Sequence, residues 1–152
     1  MFLIYPTGPI AGNEYLDVAR WHKRLAEQLG PDFKLLSQLR GSVAIVGSES
    51  FAKNFPPENV VLDGRAMVTR DFNDVLRCDA LFVNFLGAQA VSIGSHHEIA
   101  WAYAARKPII VVMEDKGNPN DHPFVRTAAS FRTSNFDLAV KVVQSMLRTD
   151  WP

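Results

Sequence analysis

The segment Val91–Glu98 contains the residues whose types and spacing most suggest chemistry. It reads Val-Ser-Ile-Gly-Ser-His-His-Glu and joins a predicted strand to a predicted helix. In one interpretation Ser95 and Glu98 form a capping box, in which both side chains bind free amides at the helix start. In the other, Glu98 lies on the first helical turn, where the helix dipole favours its ionised form and supplies a carboxylate nucleophile at neutral pH. Both interpretations place Glu98 at the same position, so its neighbours must decide between them.

Two further segments carry candidate binding residues. The segment Tyr5–Gly12 follows the first predicted strand, and its glycines would let the backbone approach a ligand closely, although a tight turn without a ligand fits the same residues. The segment has neither the GxGxxG fingerprint nor a Walker lysine. Asp71 opens a predicted helix, a place where acidic residues also occur simply because they complement the helix dipole.

The histidines and the cysteine predict no metal site. His96 and His97 adjoin the candidate nucleophile, whereas His22 and His122 stand apart, without an HExxH or other zinc-binding spacing. The adjacent pair is therefore at most part of the lining of a site. Cys78 precedes an apolar strand, which favours a buried, inert thiol. As the only cysteine it excludes an intramolecular disulfide and favours a reducing compartment.

Composition favours a single cytoplasmic domain over residues 1–152. Hydrophobic residues make up 47% of the chain, enough for one core. Lys plus Arg and Asp plus Glu each count 16, for a formal net charge of +0, which argues against a nucleic-acid polymer or a membrane surface as partner. Pro6, Gly8 and Pro9 interrupt the apolar run at the N-terminus, and no basic residues precede it. We therefore expect neither a signal peptide nor a membrane span.

Short apolar runs alternate with helical periodicity along the chain. The predicted strands are Phe2–Tyr5, Val43–Val46, Ala80–Phe85 and Ile109–Met113, with a fifth short strand near Phe131. The predicted helices are Asn13–Gly30 with Asn13 as cap, a helix capped by Thr69, Ser95–Arg106 and Phe136–Leu147, while Ser48–Leu62 is predicted to be an irregular loop. This alternation predicts an α/β fold, a doubly wound, Rossmann- or flavodoxin-like parallel sheet of about five strands with helices on both faces.

Ligands bind such sheets at the carboxyl ends of the strands. The segments that leave those ends are residues 6–13, 84–98 and 114–126. Asn84 begins the middle segment, which also contains the candidate nucleophile. We therefore expect a site where these three segments meet.

Several short motifs follow one another in a specific order between Phe2 and about Met113. They are Ile4-Tyr5, Gly8-Pro9-Ile10, Arg70-Asp71, Cys78-Asp79-Ala80, Gly94, Glu98-Ile99, Ala104 and Lys107-Pro108-Ile109. This arrangement resembles the nucleoside 2-deoxyribosyltransferase family. The resemblance implies that Glu98 attacks the anomeric carbon of a sugar, that Asp71 handles the leaving base and that Tyr5 orients the nucleophile. These roles fit the chemistry, because glycosyl transfer needs a carboxylate on one face of the sugar and a proton donor for the departing base.

The resemblance further implies a nucleoside or nucleotide as small-molecule substrate and no cofactor. The sugar would pass to a second base by way of a covalent ester of Glu98, or to water in a hydrolase, depending on how well the pocket excludes water. The expected substrate-binding residues are Gly8, Pro9, Ile10, Asn84, Ser92, Gly94 and Ser95.

Ser92 is where the chain departs from the transferase pattern. Characterised transferases carry an acidic residue six positions before the nucleophile, and this position holds Ser92 here. A related branch, the deoxynucleoside 5′-monophosphate N-hydrolases, has serine there and binds the 5′-phosphate with it. That branch also has a Ser-Ile-Arg-Gly-Gly loop, whereas this chain reads Pro-Ile-Ala-Gly-Asn over residues 9–13. The sequence therefore leaves transferase and 5′-monophosphate hydrolase open.

The resemblance also implies a homo-oligomer, because sites of this family are completed by a neighbouring subunit. The polar segment Asn118–Arg126 is the candidate contributor. A catalytically silent nucleotide-binding module is the alternative from another functional class. The presence of Tyr5, Asp71 and Glu98 together argues against it.

Overall fold

A parallel sheet forms the centre of the structure, a computed structural model that describes residues 1–10, 13–40 and 64–149. Within these residues the elements follow in the order β1 (Phe2–Thr7), α1 (Tyr15–Leu29), β2 (Phe33–Leu35), α2 (Gly64–Arg77), β3 (Ala80–Asn84), α3 (Ile93–Ala104), β4 (Ile109–Val112), α4 (Pro123–Ala128), β5 (Phe131–Thr133) and α5 (Phe136–Leu147). None of the described helices combines the length and the apolar character that a membrane crossing requires.

The five described strands pair in the order β2-β1-β3-β4-β5, and every pairing is parallel. The chain runs outward from β1 to β2 and then returns to the other side of β1 as β3, so the winding reverses between β1 and β3. This is the flavodoxin-like order of a doubly wound sheet, and it confirms the predicted fold class. Such a reversal leaves a crevice beyond the carboxyl ends of β1 and β3, the usual place for a ligand.

Both faces of the sheet are covered, which explains why its strands are continuous apolar runs. Successive side chains of a strand point to opposite faces. On one face Ile4 and Phe82 pack with residues of α1 and α5. On the other, Tyr5 and Leu81 pack with residues of α2, α3 and α4. The alternation within β1 therefore directs Tyr5, and with it Thr7, toward α3.

Two predicted helix caps are wrong. Asn13 does not cap α1, since Glu14 occupies the cap position without a side-chain hydrogen bond, and the Asn13 amide donates to the Pro9 carbonyl oxygen at 3.0 Å. Thr69 lies inside α2, where its hydroxyl donates to the carbonyl oxygen four residues earlier at 2.8 Å. Asn and Thr side chains form such local bonds to the backbone as readily as they cap helices, so their type alone does not locate a helix start.

Two short elements were not predicted. β2 is a three-residue edge strand whose central residue is Lys34, and α4 has six residues that start at Pro123 and are capped by His122. Neither is long enough to show a period. The predicted strand Val43–Val46 and the predicted loop Ser48–Leu62 lie outside the described residues.

Candidate active site

Glu98 lies at the centre of a buried cluster of hydrogen-bond donors at the carboxyl end of β1. Its side chain belongs to α3, and the residue is 3% exposed. The Tyr5 hydroxyl donates to its Oε1 at 2.9 Å, and Gln38 Nε2 donates to the same oxygen at 2.6 Å. The Thr7 hydroxyl donates to Oε2. Both carboxylate oxygens therefore have donors from other elements, as a buried carboxylate requires.

The fold explains how these groups meet. Tyr5 and Thr7 are separated by one residue in β1, so both side chains lie on the same face of the sheet. Both are fully buried. Gln38 comes from the segment that follows β2, the strand next to β1. α3 packs on the Tyr5 face and brings Glu98 over the end of the strand.

Glu98 and Ser95 do not form a capping box. The helix begins two residues earlier than predicted, at Ile93 after Ser92 in the cap position, and the Ser92 side chain forms no capping hydrogen bond. Glu98 is consequently on the second turn of α3, so the prediction that it lies on the first turn is wrong. Ser95 is 2% exposed and points inward, where its Oγ lies 2.9 Å from Thr7 Oγ1. Hydrogen-bond donors, not the helix terminus, face the Glu98 carboxylate.

Burial and hydrogen bonding shift the pKa of Glu98 in opposite directions. Burial raises the pKa of Glu98 to about 7, while the hydrogen bonds from Thr7 and Tyr5 limit that rise. The pKa of Tyr5 is raised far above its usual value, first by burial and then by the Glu98 charge. Tyr5 therefore remains a protonated donor at any ordinary pH, and Glu98 exchanges between its acid and carboxylate forms near neutrality.

Asp71 lies beside this cluster. Asp71 lies in the middle of α2, so the prediction that it opens a helix is wrong. Its side chain is 14% exposed and accepts a hydrogen bond from Arg70 Nε at 2.9 Å. Burial raises the pKa of Asp71, and the charge of Arg70 opposes the rise. The negative charge of Asp71 in turn raises the pKa values of Tyr5 and Glu98. The structure thus brings together the three residues to which the resemblance assigns catalytic roles.

The loop after β1 approaches the end of β3 closely. A Cβ atom at Gly8 would lie 2.5 Å from the Asn84 carbonyl oxygen, so only glycine fits there. Pro9, Asn84 and Trp21 line a groove of about 210 Å³ at this place. Ile10 packs against Val18 of α1 and against Leu39. Of the loop residues predicted to bind substrate, Gly8 and Pro9 border the crevice.

The remaining predicted binding residues mark the start of α3. Ser92 Oγ lies 2.9 Å from Ser95 Oγ, and Ser92 is half-buried. Gly94 is exposed on the first turn, where an added Cβ would meet open space. Packing therefore does not require glycine at position 94.

The segment after β4 holds the segment after β3 in place. Ser92 N donates to Asn120 Oδ1 at 2.8 Å, and Asn120 Nδ2 donates to the Ala90 carbonyl oxygen at 3.2 Å. Asn118 Nδ2 donates to the Phe85 carbonyl oxygen at 2.7 Å. Both asparagines are buried. The start of the segment Asn118–Arg126 therefore supports the α3 N-terminus of its own chain.

No protein-family model matches the chain, and no curated protein matches it. Solved structures do. A conserved protein from Enterococcus faecalis is 18% identical with a TM-score of 0.67, over 97% of this chain and 99% of that one. A CMP N-glycosidase from Clostridium botulinum is 15% identical with a TM-score of 0.57, over 95% and 99%. A 2-deoxyribosyltransferase from Bacillus psychrosaccharolyticus is 13% identical with a TM-score of 0.59, over 93% and 90%.

The chain has the fold of these proteins. The motifs that resemble the nucleoside 2-deoxyribosyltransferase family therefore lie on the same framework as a protein of that name. The Tyr5 motif lies in the first strand, the Asp71 motif lies in the helix before the third strand, and the Glu98 motif lies in the helix after that strand.

Sequence analysis missed Thr7, Gln38 and Asn120. Thr7 had a usable signal, because a residue two positions after Tyr5 in a strand shares its face. No sequence signal pointed to Gln38, because it follows a strand of only three residues, too short to be recognised. Asn120 lies inside the segment predicted to reach another subunit, so its contact with Ser92 of its own chain was not predicted.

The other candidate residues play no part in the cluster. His96 Nδ1 lies 2.7 Å from the Ser92 carbonyl oxygen, and His97 Nδ1 lies 2.9 Å from that of Ile93. Cys78 is buried, and burial raises the pKa of its thiol to about 11, so the thiol is protonated at neutral pH. Within the described part of the chain, no three His, Cys, Asp or Glu side chains are grouped as metal ligands.

Proposed function

We propose that the chain cleaves the N-glycosidic bond of a nucleoside, with Glu98 as nucleophile, and passes the sugar to another base. The observation that carries this proposal is a buried glutamate whose two oxygens are held by Tyr5, Thr7 and Gln38. A carboxylate fixed in this way and shielded from water is suited to attack on carbon. The shared fold with a CMP N-glycosidase and a 2-deoxyribosyltransferase supports the same class of substrate.

In the first step a Glu98 oxygen bonds to the anomeric carbon while the bond from that carbon to the base nitrogen breaks. The electron pair leaves with the base, which takes a proton from Asp71. Burial raises the pKa of Asp71, which favours the protonated form that this step needs. Tyr5 keeps its proton and donates to Oε1, so the other oxygen is left to Thr7 and the substrate.

In the second step the nitrogen of an acceptor base attacks the same carbon. The ester bond breaks, the electron pair returns to Glu98, and the acceptor's proton passes to Asp71. Attack by water at this stage would give hydrolysis instead of transfer. Two inversions at one carbon retain its configuration, as in retaining glycosidases.

Hydrolysis of a nucleoside 5′-monophosphate is the second candidate, and Ser92 is the observation that favours it. The residue precedes the first turn of α3, and its side chain forms no capping hydrogen bond to the free amides of that turn. A helix N-terminus of this kind is a general site for an anion such as phosphate. In this candidate Ser92 and the amides of Gly94 and Ser95 would hold the 5′-phosphate.

The deciding experiment incubates the protein with a panel of nucleosides and their 5′-monophosphates, each with and without a free acceptor base. We expect a new nucleoside to form from the nucleoside and the acceptor, with little free sugar. Predominant release of free sugar phosphate from monophosphates would favour the hydrolase instead.

The matched variants are Glu98→Gln, which removes the nucleophile, and Glu27→Gln, which changes an exposed glutamate of α1. Base release that is lost in the first and kept in the second supports the assignment. Binding of nucleotides with no turnover of any substrate would contradict it and identify a catalytically silent binding module.

A further inference from the structure

Three hydroxyl groups form a line from the start of α3 to the candidate nucleophile. Ser92 Oγ lies 2.9 Å from Ser95 Oγ, and Ser95 Oγ lies 2.9 Å from Thr7 Oγ1. The Thr7 hydroxyl then meets Glu98 Oε2. Thr7 is fully buried and Ser95 is 2% exposed, so the inner part of the line is closed to solvent.

The ionised carboxylate gives this line a direction. A carboxylate only accepts hydrogen bonds, and a hydroxyl has one proton to donate. Thr7 therefore donates to Glu98 and must accept from Ser95, which has then used its own proton and must accept from Ser92. All three protons point toward the negative charge. Successive hydrogen bonds in such a line polarise one another, so each bond strengthens the next.

The outer end of the line is the half-buried Ser92. With its proton directed inward, the Ser92 oxygen is left as an acceptor. A sugar hydroxyl can donate to this oxygen and strengthens the line. A phosphate dianion only accepts, so it would have to turn the Ser92 proton away from Ser95.

We propose that Thr7 and Ser95 are positioning residues that transmit hydrogen bonding at Ser92 to the Glu98 carboxylate. The inference rests on the proposed function and refines it, because it makes a substrate with a free sugar hydroxyl at Ser92 the preferred one over its 5′-monophosphate. Two buried hydroxyl groups behind Ser92 would then affect both the ionisation of the nucleophile and the choice of substrate.

The effect on ionisation is measured without any turnover, by NMR titration of protein labelled with carbon-13 at the glutamate carboxyl groups, with Glu98→Gln to assign the signal. Thr7→Val keeps the shape but removes the hydroxyl, and we expect it to raise the Glu98 pKa by about one unit. Ser95→Ala should shift it in the same direction by about 0.1 to 0.3 of a unit. Thr7→Ser should restore the wild-type value.

The other ionisable groups that face Glu98 stay unchanged in these variants. They are Tyr5 on β1 and Asp71 on α2, the latter paired with Arg70. Ser130→Ala is the matched control, because it removes a hydroxyl that accepts from Ile109 N at the other end of β4. This variant should leave the pKa of Glu98 unchanged.

The kinetic arm compares kcat/KM for a nucleoside with that for its 5′-monophosphate in wild type and Ser95→Ala. We expect the preference for the nucleoside to decrease in the variant. A Ser95→Ala protein with the wild-type Glu98 pKa and the wild-type preference would overturn the proposal, as would a Thr7→Val protein with an unshifted pKa. If the wild type releases no base, the proposed function fails, and the NMR titration still decides whether the line acts on Glu98.

Discussion

Replacing Glu98 by glutamine should make the folded protein more stable at neutral and alkaline pH while it abolishes base release. Glu98 has a pKa of about 7 in the folded protein against a usual 4.5. Between these values the unfolded chain loses the proton and the folded protein keeps it, so wild-type stability decreases as pH rises. At about 1.4 kcal/mol per pH unit, the loss amounts to about 3 kcal/mol above pH 7. The amide of Glu98→Gln does not ionise and avoids this loss.

The assay is denaturant unfolding of wild type and Glu98→Gln at a series of pH values from about 4.5 to about 8.5. The difference in unfolding free energy between Glu98→Gln and wild type should be smallest at the lowest pH. It should increase between the unfolded and the folded pKa of Glu98 and become constant at higher pH. Glu27→Gln, an exposed substitution, should follow the wild type throughout. A difference between Glu98→Gln and wild type that stays constant over the whole range would refute the burial argument.

Three further predictions concern activity and assembly. Asp71→Asn should lower the rate of base release by about 10²-fold or more if its carboxyl group transfers a proton to the base, and an unchanged rate would contradict this role. The kcat/KM of the wild type should rise with pH through about 7, because burial raises the pKa of Glu98 to about 7 and the nucleophile must be ionised. We also propose that a second subunit completes the site; full activity of a monomer in sedimentation at the assay concentration would contradict this.

The fold was predictable because strands that are buried on both sheet faces appear in the sequence as continuous apolar runs. β1, β3 and β4 are continuous apolar runs, and α5 has a clear helical period, so all four were located from the sequence within a few residues. β2 and α4 have three and six residues, too few for any period to appear. The order of the strands in the sheet was not predicted, because no single residue encodes it.

Three residues of the candidate site were predicted from the sequence, but their environment was not. The motifs identified Glu98, Asp71 and Tyr5, and the structure places them together. The spacing of Ser95 and Glu98 matched a capping box equally well, and local sequence cannot show that both side chains turn inward. That depends on Thr7, which is distant in the chain and joins both residues only after the sheet has formed.

Burial of the candidate nucleophile would also give a thermodynamic reason for the proposed ester intermediate. The ionised Glu98 is held in a site that raises its pKa to about 7, so its charge is less stable there than in water. Formation of a bond to the sugar removes this charge, and the desolvation cost is relieved at that step. The donors Tyr5, Thr7 and Gln38 act in the opposite direction, because they stabilise the carboxylate enough to be populated near neutral pH. A glutamate at an exposed helix cap would ionise without a desolvation cost. Ester formation would then relieve no such cost. In the proposed mechanism, the burial that makes the charge costly would also keep water away from the ester and favour transfer to a base over hydrolysis.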